Sequence, residues 1–318
     1  MTTSDIKPVT CPICNAESRY DFSSRDLMFD LYTRYDYFSC LSCRSIFQQP
    51  MPNLEEINSF YPANYSIYDE NAQVRSISKF KQALLWRKKA YSHLKPSGLY
   101  KFLSLIASPF YQFEKPSYVE NGTLLDVGCG NGRYLLTMRS LGWQVQGVEL
   151  SEDGLKVCRS AGLEVHHGEL LSASFSADSF DVITARHLIE HVPDPHSFMA
   201  ELARILKPGG KLIIETPNSE ALGRVCLGPK WFANEVPRHL VLFSSISLLA
   251  LAQEYGLKNS SINYSTGPKI ILNSVDYLIG NRGKPSNKIS WRRKLSRIYI
   301  WLARYTKRGD IMHTVFTK

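Results

Sequence analysis

Three sets of residues in this chain of 318 have the types and spacing for chemistry. The first lies in RHLIEHVPDP, Arg186 to Pro195, where His187, Glu190 and His191 follow the His-x-x-Glu-His order that some metal-dependent hydrolases use to hold zinc. Such a site needs both imidazoles one helical turn apart in a cleft open to water. Pro193 and Pro195 cut short any helix that would arrange them so, and the spelling does not describe a hydrolytic metal centre. What remains is a pair of imidazoles with pKa values near neutrality. They either take a proton from a reacting group or hydrogen-bond to shape a loop.

The second set is four thiols. Cys11 and Cys14 form one C-x2-C pair, Cys40 and Cys43 another, with 25 residues between the pairs. Two such knuckles supply the four thiolates of a tetrahedral zinc site, closing a small domain that has little core of its own. A closed four-thiolate site leaves no position for water, so the expected role is structural. Cys129, Cys158 and Cys226 are expected to serve packing.

The third set is the glycine loop in GTLLDVGCGNG. Gly128, Gly130 and Gly132 follow a short apolar strand, where glycine allows a ligand close to the backbone and a following helix offers free N–H groups. The next strand, WQVQGVEL, ends in Glu149, whose carboxylate suits two ribose hydroxyls. A nicotinamide site has the same layout, but its pattern wants a glycine where this chain has Arg133, and Asp126 stands two residues before the first glycine. A carboxylate there repels a pyrophosphate and suits an ammonium and a sulfonium, the charges of S-adenosylmethionine.

These residues need a scaffold of alternating strands and helices. RYLLTMRSLG reads as a helix closed by Gly142, and SEDGLKVCRSAG as a helix capped by Ser151 and closed by Gly162. LEVHHGEL and SFDVITA read as the third and fourth strands. A helix after Asp194 and Pro195 runs until KPGG, and KLIIETPN is the fifth strand. Five such alternations predict a parallel α/β sheet wrapped by helices. Three regions are expected: residues 1–62 holding the thiols, a basic helical linker or cap at 63–116, and the α/β domain at 117–318.

LLDVGCGNG, VEL, GEL, FDVITARHLIEHVPDP and LKPGGKLIIETPN, in this order, resemble the class I S-adenosylmethionine-dependent methyltransferases over roughly Tyr118 to Gly256. The resemblance implies a Rossmann-like, mostly parallel sheet with a last antiparallel strand, for which DIMHTVFTK is the candidate. It implies that Asp126 and the loop Gly128, Cys129, Gly130 and Gly132 hold the methionine part, Glu149 the ribose, and Glu169 with Leu170 the adenine, with Leu150 also on the cofactor side. Arg186 is a further cofactor-side position. The thiol module with YFSCLSCRSIFQQPMP and FYPANYSIYD is similar to zinc ribbons fused ahead of sugar and surface-polysaccharide methyltransferases. In that group the insertion PKWFANEVPRHLVLFS would place Trp231 and Arg238 against the acceptor, with His239 joining His187 and His191 as a candidate base. Insertions on the acceptor side are expected near 220–243 and 268–308.

The net charge of +9 is confined to two segments. Residues 71–113 hold eight Lys/Arg and 277–309 hold ten, neither with Asp or Glu, leaving 20 basic against 29 acidic residues elsewhere. SWRRKLSRIYIWLARYTKR places Trp291, Leu295, Ile298 and Leu302 on one helical face, which suits either an anionic membrane surface or a cap packed over a pocket. The expected acceptor is a small or lipid-linked molecule, foremost a sugar hydroxyl, with RNA as the alternative because basic segments suit a phosphate backbone. A non-catalytic scaffold is the reading from another class, opposed by the intact Asp126, glycines and Glu149. No run reaches 18 apolar residues and MTTSDIK lacks the order of a signal peptide, so a cytoplasmic protein, peripheral to membrane if the basic helix docks, is expected.

Overall fold

The computed structural model describes residues 9–61, 77–110, 115–280 and 290–318. Most of FYPANYSIYD, from Pro62 onward, and the side chain of Trp291 lie outside the described residues. Among the described residues, twelve strands form two sheets. β1 (Val9–Thr10), β2 (Glu17–Arg25), β3 (Arg34–Cys40) and β4 (Ile46–Gln49) make an antiparallel meander, completed by β10 (Val241–Leu242) beside β4 with Val241 opposite Phe47. The N-terminal sheet therefore takes its last strand from nearly 200 residues downstream.

The second sheet has the order β11-β12-β9-β8-β5-β6-β7, comprising β5 (Thr123–Val127), β6 (Gln144–Glu149), β7 (Glu164–His167), β8 (Phe180–Arg186), β9 (Leu206–Pro217), β11 (Lys258–Ser265) and β12 (Ile311–Thr317). β8, β5, β6 and β7 are parallel. Helices Arg133–Ser140, Glu152–Ser160 and Pro195–Ile205 make the crossovers. β12 runs antiparallel to β9: Asp310 before it accepts from Asn218 at the end of β9, while Lys318 after it accepts from Gly209 near the start. This is the mixed sheet expected of the methyltransferase fold. One boundary differs from the expectation. KPGG does not separate helix from strand, because β9 already begins at Leu206 and runs through it.

The chain divides into two compact units, each discontinuous in sequence: residues 66–185, 201–213 and 317–318 form one, and residues 1–65, 186–200 and 214–316 the other. In the first, Leu124, Leu125 and Val127 of β5 are buried with Leu135, Leu136 and Met138 of the following helix. Alternation of strand and helix thus buries an apolar run on every side of β5, as a central parallel strand requires. In the second unit, Phe22 stacks on Tyr37 at 4.8 Å, and both pack with Ile46, Trp231, Val236 and Leu242.

Candidate active site

The cofactor cradle is built on the carboxyl ends of β5 and β6. Asp126 is buried in register with Thr184 of β8, whose hydroxyl donates to its Oδ1 at 2.6 Å. Glu149, the last residue of β6, is also buried. Its Oε2 accepts from the Gly130 N–H at 2.6 Å and its Oε1 from the Ser151 N–H at 2.8 Å. The backbone bonds hold the carboxylate in place before any ligand arrives.

The loop between them needs glycine for more than one reason. Gly128, Gly130 and Gly132 have φ of 71°, 57° and 72°, in the left-handed region that side chains disfavour. At Gly132 a Cβ would also lie 2.4 Å from Leu163 Cδ1 and 2.9 Å from Cys158 Sγ, so this glycine seats the Arg133–Ser140 helix against its neighbour. Gly154 lets the Glu152–Ser160 helix approach the loop, because a Cβ there would meet the Gly130 carbonyl at 2.9 Å. Cys129 and Leu170 are buried, while Leu150 and Glu169 are exposed. His167 Nε2 donates to the Leu150 carbonyl at 3.1 Å, ordering the turn after Glu149. Thr184, Gly154 and His167 were not anticipated from the sequence; Thr184 becomes visible only once the register of β5 and β8 is known.

The other unit gathers the candidate bases. His187 has φ of 52°, a strained position for a side-chain-bearing residue, and its N–H donates to the Glu215 carbonyl at 2.8 Å. Its exposed ring places Nδ1 3.5 Å from Glu190 Oε1. Burial lowers the His187 pKa, but the Glu190 carboxylate, with help from Glu215, outweighs burial and raises it above the ordinary imidazole value. Glu190 is fully buried, and Thr216 donates to its Oε2 at 2.9 Å. Burial would raise its carboxyl, yet His187, His239 and His191 bring it down to about 2.

His191 Nδ1 lies 3.0 Å from the Arg238 carbonyl and 3.1 Å from the Tyr61 hydroxyl. A carbonyl only accepts, so Nδ1 carries the proton and Nε2 is left with its lone pair. Burial and the nearby His239 push the His191 pKa down to about 4. His239 is fixed in the same way, with Nδ1 2.9 Å from the Ala233 carbonyl, and its Nε2 faces Glu235 Oε2 at 3.6 Å and Glu190 Oε1 at 4.0 Å. Ligand atoms of Glu190, His191 and His239 all lie within 4.8 Å of one another, a set able to hold a divalent cation. Glu190 and Glu235 complete this cluster and were not among the expected site residues.

Trp231 and Arg238, expected against the acceptor, are both buried with their polar atoms engaged. Trp231 Nε1 donates to Asp310 at 2.9 Å. Arg238 donates to Asp26 at 2.7 Å, to the Phe60 carbonyl at 3.2 Å and to Glu235 at 3.2 Å. Arg186 is half-buried at the end of β8.

The four N-terminal thiols do converge. Cys11 and Cys43 Sγ lie 3.6 Å apart, Cys14 and Cys40 Sγ 3.5 Å, and all four fall within 4.8 Å of one another. Tetrahedral zinc with bonds of about 2.3 Å spaces its sulfurs by about 3.8 Å, so the site fits. The Ile13 N–H points to Cys11 Sγ at 3.4 Å and the Cys43 N–H to Cys40 Sγ at 3.3 Å, contacts that stabilise thiolates.

Set beside known proteins, residues 106–262 match a methyltransferase-domain family. The ubiquinone biosynthesis O-methyltransferase of Idiomarina loihiensis is 35% identical over 168 residues, covering 46% of this chain and 68% of that protein. The protein of the same name from Ralstonia nicotianae is 31% identical over 179 residues, covering 50% and 75%. The chain belongs to the S-adenosylmethionine-dependent methyltransferases. A third methyltransferase relative, the ubiquinone biosynthesis O-methyltransferase of Xanthomonas oryzae pv. oryzae, is 39% identical over 125 residues, covering 36% and 52%. The chain thus spans between about half and three quarters of these relatives' length. Among solved structures, a SAM-dependent methyltransferase from Archaeoglobus fulgidus is similar with 19% identity and a TM-score of 0.46, covering 69% of this chain and 94% of that one. In this methyltransferase no helix among the described residues is long and apolar enough to cross a membrane.

Proposed function

We propose that the protein transfers the methyl group of S-adenosylmethionine to a hydroxyl oxygen of a small or lipid-linked acceptor. The observation that carries this is the preformed cradle: Asp126 and Glu149 are held at adjacent strand ends by Thr184, Gly130 and Ser151, where a cationic amino acid moiety and a ribose bind. Held there, the cofactor would supply its methyl group to the acceptor oxygen and be left as adenosylhomocysteine. The hydroxyl proton passes to a base or to water; His187, whose ring is exposed and beside Glu190, is the base we assign.

The relatives' names support a ring hydroxyl of a polyprenylated phenol as the first acceptor to try. The relatives named above carry ubiquinone biosynthesis, not polysaccharide methylation, in their names. The sugar hydroxyl expected from the sequence becomes the second reading, favoured by the four-thiol domain, which lies outside the matched residues 106–262. We assign structural zinc to Cys11, Cys14, Cys40 and Cys43. Metal analysis of anaerobically purified protein should give zinc that is lost in Cys43→Ser, and metal-free wild type would end that assignment.

The test of function uses methyl-labelled S-adenosylmethionine with a polyprenylated catechol, a nucleotide-sugar pool and bulk RNA in separate reactions. Label on the catechol or a sugar, released as a methyl ether, supports O-methylation and selects between the two readings. Label only on RNA, or no binding of S-adenosylmethionine at all, overturns it.

A further inference from the structure

The basic helix Ser290–Tyr305 is inside out. It buries Arg292 at 4% exposure, Ser296, Tyr299 and Ala303, and turns Leu295, Ile298, Trp301 at 62%, Leu302 and Tyr305 at 77% to solvent. The sequence left open whether this apolar face packs as a cap; at its described residues Leu295, Ile298 and Leu302 it does not. Polar anchors fix the orientation. Arg292 donates to Asp276 at 2.6 Å and to the Leu272 carbonyl at 3.0 Å, while Tyr299 donates to Asp310 at 2.6 Å and accepts from the Gly223 N–H at 3.0 Å. Ile271 and Val275 of the Pro268–Leu278 helix pack on Tyr299 and Ala303 and close that side. Rotating the helix to bury its leucines would strand a guanidinium and a phenol away from these partners.

The exposed side chains recur three and four residues apart from Leu295 to Tyr305, forming one stripe about 15 Å long. Trp301 and Tyr305 stack at 5.7 Å, and Leu278 and Ile279 are exposed at the end of the helix packed alongside. Exposed Arg297 and Arg304 border the stripe on one side, Lys294 lies at its N-terminal end and Lys307 just beyond it. The whole span 277–309 lacks any acidic residue. Aromatic and aliphatic side chains with cations at their edge and no anions match a lipid interface, where rings and methyls enter the acyl boundary and cations meet phosphate headgroups.

We propose that the Ser290–Tyr305 helix docks this protein on an anionic lipid bilayer. Docking does not depend on turnover, so its test stands apart from that of the methyl-transfer reading. The full chain is sedimented with vesicles of phosphatidylglycerol and phosphatidylcholine, and with phosphatidylcholine alone, at low and moderate salt. Wild type should sediment with the anionic vesicles, less so as salt rises. Ile298→Ser with Trp301→Ser should weaken that binding by about tenfold or more, with unchanged thermal unfolding because neither side chain is buried. Arg297→Glu with Arg304→Glu should remove the preference for anionic lipid. Wild type left in the supernatant overturns the proposal, as does equal binding by the serine variant. So does light scattering that shows a dimer of wild type reduced to monomer by Trp301→Ser, since the face would then join two copies of this chain.

Discussion

In the cradle, Asp126 and Glu149 stand at adjacent strand ends in one βαβ unit and are held by a hydroxyl and backbone N–H groups at 2.6 to 2.8 Å; in the histidine cluster, Glu190 accepts from the Thr216 hydroxyl but also faces imidazoles, and Glu235 faces an imidazole and a guanidinium. Hydroxyl and backbone N–H donors do not themselves change charge near neutral pH. Ionisable partners tie the stability and chemistry of their site to proton concentration. The two regions teach that one chain can hold one pair of carboxylates with donors that do not titrate and another pair beside groups that do.

The largest expected effect breaks the cluster with acid. The His191 pKa is about 4 when folded against 6.5 for a free imidazole, so between those values the unfolded chain binds the extra proton. Stability is therefore full above pH 6.5 and falls as pH drops toward 4, by about 3 kcal/mol. Glu190, at about 2 folded against 4.5 unfolded, withdraws further stability as pH falls from 4.5 toward 2. Denaturant unfolding measured across pH 7 to 4 should show the midpoint falling, and His191→Phe should flatten that fall. A midpoint independent of pH would mean that the cluster does not hold His191 neutral.

Next in size is a test of the cradle. Glu149→Ala should weaken S-adenosylmethionine binding by about 1 to 3 kcal/mol, the loss of a charged acceptor, with secondary structure intact. Titration calorimetry reads it. Wild-type affinity in this variant would mean that the ribose is held elsewhere.

Gly132→Ala sharpens the comparison by separating scaffold from seat inside the cradle. A side chain at φ 72° with its Cβ against Leu163 and Cys158 should cost about 2 kcal/mol of stability. Its Cβ points into that packing, so affinity for the cofactor in the folded protein should change little. A large loss of affinity without loss of stability would reverse the assignment and make Gly132 a ligand contact.

This division also decides what could be read from the sequence. Asp126, the glycines and Glu149 are placed by one strand, one turn and the next strand, so local spacing revealed them, and Cys11 to Cys43 announced themselves through two knuckles. Ser151 and Asp194 were legible as caps for the same reason, and each accepts from the helix it starts. The cluster draws Tyr61, Glu190, His191, Glu235 and His239 from three stretches, and nothing within any one of them signals the others. Trp231 and Arg238 look like ligand-gripping residues by type, but Asp310 and Asp26, which engage them, lie 79 and 212 positions away. Strand β10 was missed because two residues carry no periodicity, and it exists through its partner β4.

The smallest effect is a displacement of a rate profile, and it distinguishes two claims on the acceptor proton. A base must be neutral to act, so turnover falls as pH drops through its pKa. If His187 serves, the acid limb lies above 6.5, because Glu190 and Glu215 outweigh burial and stabilise its imidazolium. If His191 serves, turnover stays flat until pH approaches 4. Glu190→Gln removes the nearby negative charge while keeping the shape, so the His187 limb should move to lower pH and turnover just below the original limb should rise by less than about tenfold. The same substitution frees no proton acceptor at the cradle, and S-adenosylmethionine affinity should hold. A limb above 6.5 that stays in place in Glu190→Gln would show that the titrating group is not His187, and that the proton leaves the acceptor by a route outside this cluster.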